Sequence, residues 1–216
     1  MINDSIFENR EQAGKLLAKE VRKLKLNPRK SVIAAIARGG VVVGQAVAKE
    51  LGITLRVMVV KKLGAPGDPE LAIGAVSALG KPYLDYWLIR DLKVSANYLK
   101  REVGQKRKEA SEREKFLGIK LKSGDFSGKT AVICDDGLAT GASAKAAAKE
   151  IRDLGAKNVI LAVPCGFPAE VEKIKGDFER VIVLRTAADF WAVGQFYRDF
   201  SEVTDEQVRN ILHGKN

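Results

Sequence analysis

Residues 131–143 read AVICDDGLATGAS, and this stretch decides how the rest of the chain is interpreted. It opens as a buried strand that ends at two adjacent carboxylates, Asp135 and Asp136, and an alanine-rich helix is predicted from Thr140. The N–H groups at the start of a helix bind anions, and carboxylates accept hydrogen bonds from neighbouring hydroxyl groups. The stretch therefore indicates a ligand that carries both a phosphate and a diol.

Length, composition and charge describe a globular chain that favours anionic partners. The chain has 216 residues, of which 46% are hydrophobic, enough for one substantial core. Its formal charge of +10 favours phosphates, nucleotides or nucleic acid, although a surface rich in Lys and Glu is also typical of heat-adapted proteins. No apolar run approaches the roughly 18 residues of a membrane span. Cys134 and Cys165 have neither metal-ligand spacing nor the pattern of a small-domain disulfide framework, which favours a reducing cytosol. We therefore expect a soluble, cytoplasmic protein with no membrane partner.

Apolar runs and helical periodicities alternate along much of the chain. SVIAAIA (31–37) is typical of a strand covered on both faces of a parallel sheet, and a second strand is predicted over 53–62 after a helix over 41–51. This order predicts an α/β fold in which a parallel sheet is flanked by helices. Further predicted elements are a helix over 8–24, strands over 158–166 and 180–186, and helices over 140–154 and 168–175.

The middle of the chain departs from this alternation. LGAPGDPE (63–70) contains two prolines and two glycines and is predicted to be a mobile loop. The runs ELAIGAVSA and PYLDYWLIR lie on either side of 79–81, which predicts a hairpin with a glycine turn. A long charged helix is predicted from Ser95 to Phe116, with Ser95 as its N-cap. Because this helix carries both charge signs, it indicates a solvated or subunit-facing surface rather than a nucleic-acid groove.

Polar residues follow three of the predicted strands at their carboxyl ends. They are Arg38-Gly39-Gly40, the pair Lys61-Lys62, and the acids 135–136 with their loop. Ligands of doubly wound sheets bind at such ends, where the order of the strands reverses. Adjacent strand residues point to opposite faces, so only one of the two lysines is expected to face a site. Lysines at strand ends also occur simply as solvated residues that oppose aggregation.

The central stretch closely resembles a known family signature. Four small or apolar residues, two acids, a short turn and Thr-Gly-small-Ser are similar to the thirteen-residue phosphoribosyl pyrophosphate (PRPP) signature of the type I phosphoribosyltransferases. The order of elements over about residues 31–185 is also similar to that fold. ARGG early in the chain and DDG-ATG-S later resemble uncharacterised members of the family. The resemblance implies one domain over 1–216, with a core over about 31–185, a flexible hairpin flap over about 61–90 and a small hood over about 187–216.

The resemblance also implies a role for each cluster. The two acids would hold the ribose hydroxyls, the loop after them would hold the 5-phosphate, and the diglycine segment would be the pyrophosphate loop. The implied PRPP-binding residues are Arg38, Gly39, Gly40, Asp135, Asp136, Gly137, Ala139, Thr140, Gly141, Ala142 and Ser143.

Catalysis by such a site is expected to be mainly electrostatic. Pyrophosphate leaves, an oxocarbenium-like ribose forms, and a nitrogen nucleophile attacks. The implied catalytic residues are Arg38, Lys61, Lys62, Asp135 and Asp136. The resemblance implies Mg²⁺ as the cofactor, bound mainly through PRPP rather than by a protein site, because this ion keeps its waters and binds through substrate phosphates.

The residues that would select the acceptor are less well defined. Family members that act on 6-oxopurines carry an aspartate where this chain has Ala139, and this difference disfavours a hypoxanthine-guanine activity. Adenine-specific members have alanine there together with a flap glutamate, for which Glu70 is the nearest candidate. The tail concentrates aromatic residues such as Phe190 and Trp191, which either pack as core or line an acceptor pocket in a hood that could include the N-terminal helix.

Two classes of function fit these patterns. The first is an enzyme that joins PRPP to a nitrogenous base or other amine and releases pyrophosphate. The second is a regulatory protein that senses PRPP or a nucleotide on the same fold, with nucleic acid as a partner. The charge and Ala139 favour the sensor, a charged flap favours the enzyme, and the absence of a helix-turn-helix or RNA-reading motif disfavours nucleic acid. A weaker third interpretation is a hydrolase or transferase of ribose phosphates. The resemblance also implies a homo-oligomer.

Overall fold

A single sheet organises the chain. The structure is a computed structural model, and it describes residues 6–187, 189 and 192–214. Within those residues, seven strands form the sheet in the order β4-β3-β2-β1-β5-β6-β7. The strands are β1 Ser31–Ala37, β2 Leu55–Ala65, β3 Asp68–Ser77, β4 Tyr83–Leu84, β5 Thr130–Cys134, β6 Asn158–Gly166 and β7 Arg180–Thr186.

Helices cover both faces of this sheet. They are α1 Arg10–Arg22, α2 Gly39–Leu51, α3 Tyr86–Asp91, α4 Ala96–Leu117, α5 Ser123–Phe126, α6 Ala142–Asp153, α7 Pro168–Ile174 and α8 Asp205–Leu212. Short 3₁₀ turns occur at Pro28–Lys30, Lys175–Asp177 and Val193–Phe196. In the part of the chain that the structure describes, no helix is long and apolar enough to cross a membrane.

The parallel part of the sheet is buried on both faces, as its apolar runs predict. Strand β1 pairs in parallel with β2 and β5, and β5, β6 and β7 continue the parallel pairing. Ile33 packs with α1 and α2 on one face, whereas Ala34 packs with the alanines of α6 on the other. The alternation of side chains along a strand explains why neighbours belong to different clusters. The predicted α/β fold with a helix-flanked sheet is confirmed.

The chain order of the strands reverses beside β1. Strand β2 lies on one side of β1 and β5 on the other. The carboxyl ends of β1 and β5, which lead to Arg38 and Asp135, therefore open at the same edge of the sheet. This is the switch point at which doubly wound sheets bind ligands.

The prediction of a loop over residues 63–70 is wrong. Strand β2 continues to Ala65, a turn contains Pro66 and Gly67, and β3 begins at Asp68. Gly67 takes the left-handed φ of 83° that such a tight turn needs. Pro69 is tolerated because it lies where the β2–β3 register shifts, so the regular ladder does not require an N–H from it.

The predicted hairpin around residues 79–81 is correct only in part. Strand β3 does pair with β4 in antiparallel fashion, but β4 contains only Tyr83 and Leu84. The remainder of the run PYLDYWLIR forms helix α3, because the Asp85 carboxylate accepts a hydrogen bond from the N–H of Leu88 and caps the helix. The following helix α4 is confirmed, with the Ser95 hydroxyl accepting from the N–H of Tyr98.

Candidate active site

Two acids follow strand β5 and border a cavity. The N–H of Asp136 donates to Oδ1 of Asp135 at 2.9 Å, so the backbone already turns between the two carboxylates. A cavity of about 170 Å³ opens beside them. It is lined by Lys62, Asp135, Asp136, Gly137, Leu138, Ala139, Thr140, Gly141, Ser143, Ala144, Val163 and Val193.

The loop after the acids is fixed to the neighbouring strand β6. The N–H of Leu138 donates to the carbonyl of Cys165 at 2.8 Å, and the N–H of Phe167 donates to the carbonyl of Leu138 at 3.2 Å. Gly141 takes a left-handed φ of 72°, and α6 begins at Ala142, two residues later than predicted. The first turn of a helix leaves its N–H groups without intrahelical partners. The N–H of Ala142 donates to the Thr140 hydroxyl at 3.4 Å, and Thr140, Gly141 and Ser143 line the cavity.

The diglycine segment packs directly on the acids. Helix α2 begins at Gly39 rather than at residue 41, and the Ala37–Arg38 peptide bond is cis. A β-carbon on Gly39 would overlap Oδ2 of Asp136, and one on Gly40 would lie 2.8 Å from the Cα of Asp135. Glycine is therefore required here so that the ends of β1 and β5 can approach each other.

Arg38 lies at this edge but does not line the cavity. Its guanidinium donates to the carboxylate of Glu202 in the C-terminal tail. The Glu202 side chain is 74% exposed, and exposed ion pairs contribute only about 0–1 kcal/mol. The Arg38 guanidinium thus binds an anion that a ligand could readily displace.

The two adjacent lysines of β2 lie on opposite faces. Lys62 lines the cavity with the acids, and its charge lowers the pKa of Asp135. Lys61 points to helix α4, where its Nζ lies 3.7 Å from Oε2 of Glu109. Burial and the nearby Arg113 lower the pKa of Lys61. The structure therefore brings Lys62 to the acids and places Lys61 away from them.

Burial shapes the protonation of the groups around the acids. It raises the pKa of Asp135, and the charge of Asp136 raises it further, while Lys62 and Arg10 act in the opposite direction. Burial and both acids raise the pKa of Cys165 to about 12, and burial also raises that of Cys134. Both thiols are therefore protonated near neutral pH, which disfavours a nucleophilic cysteine.

Sequence patterns missed two residues that hold Asp136. Arg10, the first residue of α1, donates from Nε to Oδ2 of Asp136 at 2.8 Å, and the hydroxyl of Tyr197 donates to the Asp136 carbonyl at 2.6 Å. The only signal for Arg10 is its position in the apolar stripe of α1, where it occupies the same buried face as Leu17 and Val21. A buried arginine in such a stripe indicates an acidic partner.

Of the three residues predicted to select the acceptor, only Glu70 lies among the residues that the structure describes. Glu70 is exposed on β3, where its N–H donates to Asp68, and it does not line the cavity. Phe190 and Trp191 lie outside the described residues. Of the aromatic tail, Phe196 and Tyr197 are buried, and the Tyr197 ring lies 5.4 Å from that of Phe7. These two aromatic residues pack as core.

The side chains around the acids are compatible with a metal ion that is coordinated mostly by a bound substrate. Among the described residues, no group of three or more His, Cys, Asp or Glu side chains could hold a metal. Asp135 and Asp136 nevertheless place carboxylate oxygens, the ligand type that Mg²⁺ prefers, on the wall of the cavity. The residues are thus compatible with Mg²⁺ that reaches the site on PRPP.

The sheet topology, together with the acid pair and the loop that leads into α6, is that of the type I phosphoribosyltransferase class. The model of the phosphoribosyl transferase domain family matches residues 3–201. The chain therefore belongs to the phosphoribosyl transferase domain family.

Individual relatives agree with this assignment. A Mycobacterium tuberculosis H37Rv protein, provisionally named a phosphoribosyl transferase, is 38% identical over 96% of this chain. The match covers 46% of that protein, so this chain spans about half the length of its curated relative. The crystal structure of TT1426 from Thermus thermophilus is 40% identical and superposes with a TM-score of 0.80, covering 96% of this chain and 97% of that one. A hypoxanthine phosphoribosyltransferase structure from Staphylococcus aureus, 12% identical, shares the fold with a TM-score of 0.51 over 87% of this chain and 78% of its own.

Proposed function

We propose that this protein transfers the phosphoribosyl group of PRPP to a nitrogenous acceptor and releases pyrophosphate. The observation that carries the proposal is the arrangement around one cavity of two acids, one lysine and the loop that opens α6. Each of these groups matches one part of PRPP: the diol, the pyrophosphate and the 5-phosphate. The family assignment supports the same class of reaction.

The acids and the loop would bind the ribose 5-phosphate half of the donor. Asp135 and Asp136 accept hydrogen bonds from the ribose hydroxyls, since ionised carboxylates are strong acceptors. The N–H groups of segment 139–143 donate to the 5-phosphate, and the hydroxyls of Thr140 and Ser143 add further donors. Gly141 allows the backbone to turn close to the phosphate because its left-handed φ is open to glycine.

The pyrophosphate half would lie against the start of α2. Gly39 and Gly40 bring the backbone at the start of α2 next to the acids, and Arg38 supplies a guanidinium that already binds the Glu202 carboxylate. Pyrophosphate would displace this exposed carboxylate at low cost. Lys62 approaches from β2 and would neutralise negative charge on the leaving group.

Bond making and bond breaking take place at the anomeric carbon. The bond from this carbon to the pyrophosphate oxygen breaks, its electron pair leaves with pyrophosphate, and a nitrogen lone pair of the acceptor forms the new bond. Asp135 and Asp136 would hold Mg²⁺ together with the bound PRPP, and the ion would supply additional positive charge for the leaving group. The protein contributes by orienting the donor and by placing Arg38 and Lys62 where negative charge develops.

Calorimetric titration with PRPP and Mg²⁺ tests the donor assignment. We expect saturable binding that depends on Mg²⁺. A pyrophosphate-release assay over a panel of purines, pyrimidines and small amines then tests transfer, and we expect turnover with one acceptor class. Failure to bind PRPP would overturn the proposal. Binding of PRPP without turnover on any acceptor would instead assign the protein to PRPP sensing.

A further inference from the structure

Arg10 is a buried cation at the N-terminus of α1. It is 8% exposed and shares the buried face of the helix with Leu17 and Val21. Removing a guanidinium from water costs several kcal/mol unless the protein supplies good partners. The partners of Arg10 therefore indicate which contacts offset the free-energy cost of its burial.

These partners connect the candidate active site to the C-terminal tail. Nε of Arg10 donates to Oδ2 of Asp136 at 2.8 Å, and an η-nitrogen donates to the carbonyl of Ser201 at 2.8 Å. The guanidinium carbon lies 3.8 Å from the centre of the Phe200 ring. On the other side, the Tyr197 hydroxyl donates to the Asp136 carbonyl. Asp136 is thus held both through its carboxylate and through its backbone.

The ion pair also sets the position of the diglycine segment. A β-carbon on Gly39 would overlap Oδ2 of Asp136 and would lie 2.9 Å from Nε of Arg10. The Arg10–Asp136 pair therefore forms the surface on which the first residue of α2 rests. Any rotation of the Asp136 carboxylate would change its contact with Gly39.

We propose that Arg10 is a positioning residue that orients the Asp136 carboxylate toward the ribose diol and fixes its distance from the diglycine segment. This inference rests on the proposed function. A merely structural role for Arg10 would be to tie the tail to α1 through Ser201 and Phe200. The two roles differ in whether the effect of Arg10 on ligand binding passes through Asp136.

A double-mutant cycle separates the two roles. PRPP affinity is measured by calorimetry, and by the shift in unfolding temperature at millimolar PRPP where binding is weak, for wild type, Arg10→Gln, Asp136→Asn and the double variant. We expect Arg10→Gln to weaken binding about tenfold in the wild-type background and less than about twofold when Asp136 is already asparagine, because residues acting through one another are not additive. Arg22→Gln on the same helix, whose arginine pairs with Glu50 at the surface, is the matched control and should leave PRPP affinity unchanged.

The outcomes distinguish this inference from the proposed function. Equal losses in both backgrounds, or unchanged affinity in Arg10→Gln, would overturn the positioning role while leaving PRPP binding by the wild type intact. A wild type that does not bind PRPP would overturn both. Should Arg10→Gln fail to fold, the same cycle with Arg10→Lys, which keeps the charge but not the planar guanidinium, is expected to show a loss of about threefold with the same dependence on Asp136.

Discussion

Among the described residues, two pairs of partly or fully buried acidic residues have different surroundings. Asp135 and Asp136 follow β5, where Arg10 pairs with Asp136 and Lys62 lines the same cavity. Glu114 of α4 and Glu150 of α6 interact electrostatically with each other. Within the described residues, Oε1 of Glu114 and both carboxylate oxygens of Glu150 have no hydrogen-bond partner, although the Ser77 side chain lowers the pKa of Glu150.

This difference shows that burial of acids does not by itself mark a binding site. A carboxylate stays charged in a partly dry environment only when cations and donors compensate for the lost water. Lys62 and Arg10 lower the pKa of Asp135, although burial and the charge of Asp136 raise it overall, and both aspartates line a cavity where a ligand or a cation can contact them. Beside the glutamates, the backbone N–H of Val59 and the Ser77 side chain do not outweigh burial, which raises the pKa of Glu114 to about 7 and raises that of Glu150 as well. The two pairs therefore differ in the cations and the cavity beside the aspartates, whereas burial raises the pKa of Asp135, Glu114 and Glu150 alike.

Neutralising the aspartates is the strongest test of this contrast. We expect the double variant Asp135→Asn with Asp136→Asn to weaken PRPP binding about 100-fold or more, because each hydrogen bond to a charged group contributes about 1.5–3 kcal/mol. Calorimetric titration with PRPP and Mg²⁺ gives the affinity, and circular dichroism checks that the fold is retained. If the double variant keeps the affinity of the wild type, the acids only cap the loop and the donor assignment fails.

A smaller change next to the aspartates tests whether the pair must be closely packed. Gly39→Ala places a β-carbon on Oδ2 of Asp136, and we expect PRPP affinity to fall about tenfold and stability to fall by about 1–3 kcal/mol, as overpacking usually costs. The matched control is Gly104→Ala in α4, where a β-carbon meets nothing within 4 Å. It should stabilise the helix by about 0.5–1 kcal/mol without changing affinity. Unchanged affinity in Gly39→Ala would show that the start of α2 can shift freely.

The adjacent lysines provide a matched pair of variants. Lys62→Ala should lower kcat for pyrophosphate release about tenfold to 100-fold, since it removes a cation from the cavity that holds the aspartates. Lys61→Ala should change kcat less than about twofold, because Lys61 faces Glu109 on α4. Steady-state assays with the acceptor found in the panel measure both. Equal effects of the two substitutions would contradict the placement of Lys62 alone at the site.

Much of the fold could be predicted from local sequence, and the errors have a common cause. The parallel strands are continuous apolar runs because both faces of the sheet are covered, so they are visible without long-range information. The expectation for residues 63–70 is wrong because their prolines and glycines are locally typical of a loop, whereas pairing between β2 and β3 decides the structure. Tertiary context also ended β4 at Leu84, where Asp85 starts α3.

The candidate site likewise contains some residues that local sequence predicts and others that it does not. The aspartates, the loop after them and the diglycine segment are contiguous motifs, so the sequence alone placed them at strand ends. Arg10 and Tyr197 contact Asp136 across 126 and 61 residues of chain, and no local pattern reports such contacts. The choice between Lys61 and Lys62 likewise needed the observed faces of β2, because alternation predicts opposite directions without saying which lysine meets the acids.

Neutralising Glu114 should have a smaller effect, and it should increase the stability of the fold rather than weaken PRPP binding. The pKa of Glu114 is about 7 in the folded protein and about 4.5 when unperturbed, so between these values the folded state holds a proton that the unfolded state lacks. Stability should therefore fall as pH rises through this window and then level off. Glu114→Gln removes this titration. After allowance for partial exposure, we expect it to stabilise the protein by about 1 kcal/mol at about pH 8 and by almost nothing at about pH 5.

Denaturant unfolding at both pH values measures the difference. Glu112→Gln, on the exposed face of the same helix, is the control and should leave the pH dependence unchanged because its carboxylate pairs with Lys108 at the surface. PRPP affinity should be unaltered in both variants, since α4 packs against β2 on the face opposite the cavity. If Glu114→Gln is as pH-dependent as the wild type, Glu114 is already ionised in the folded protein. The two acid pairs would then differ only in that the aspartates line the cavity and the glutamates do not.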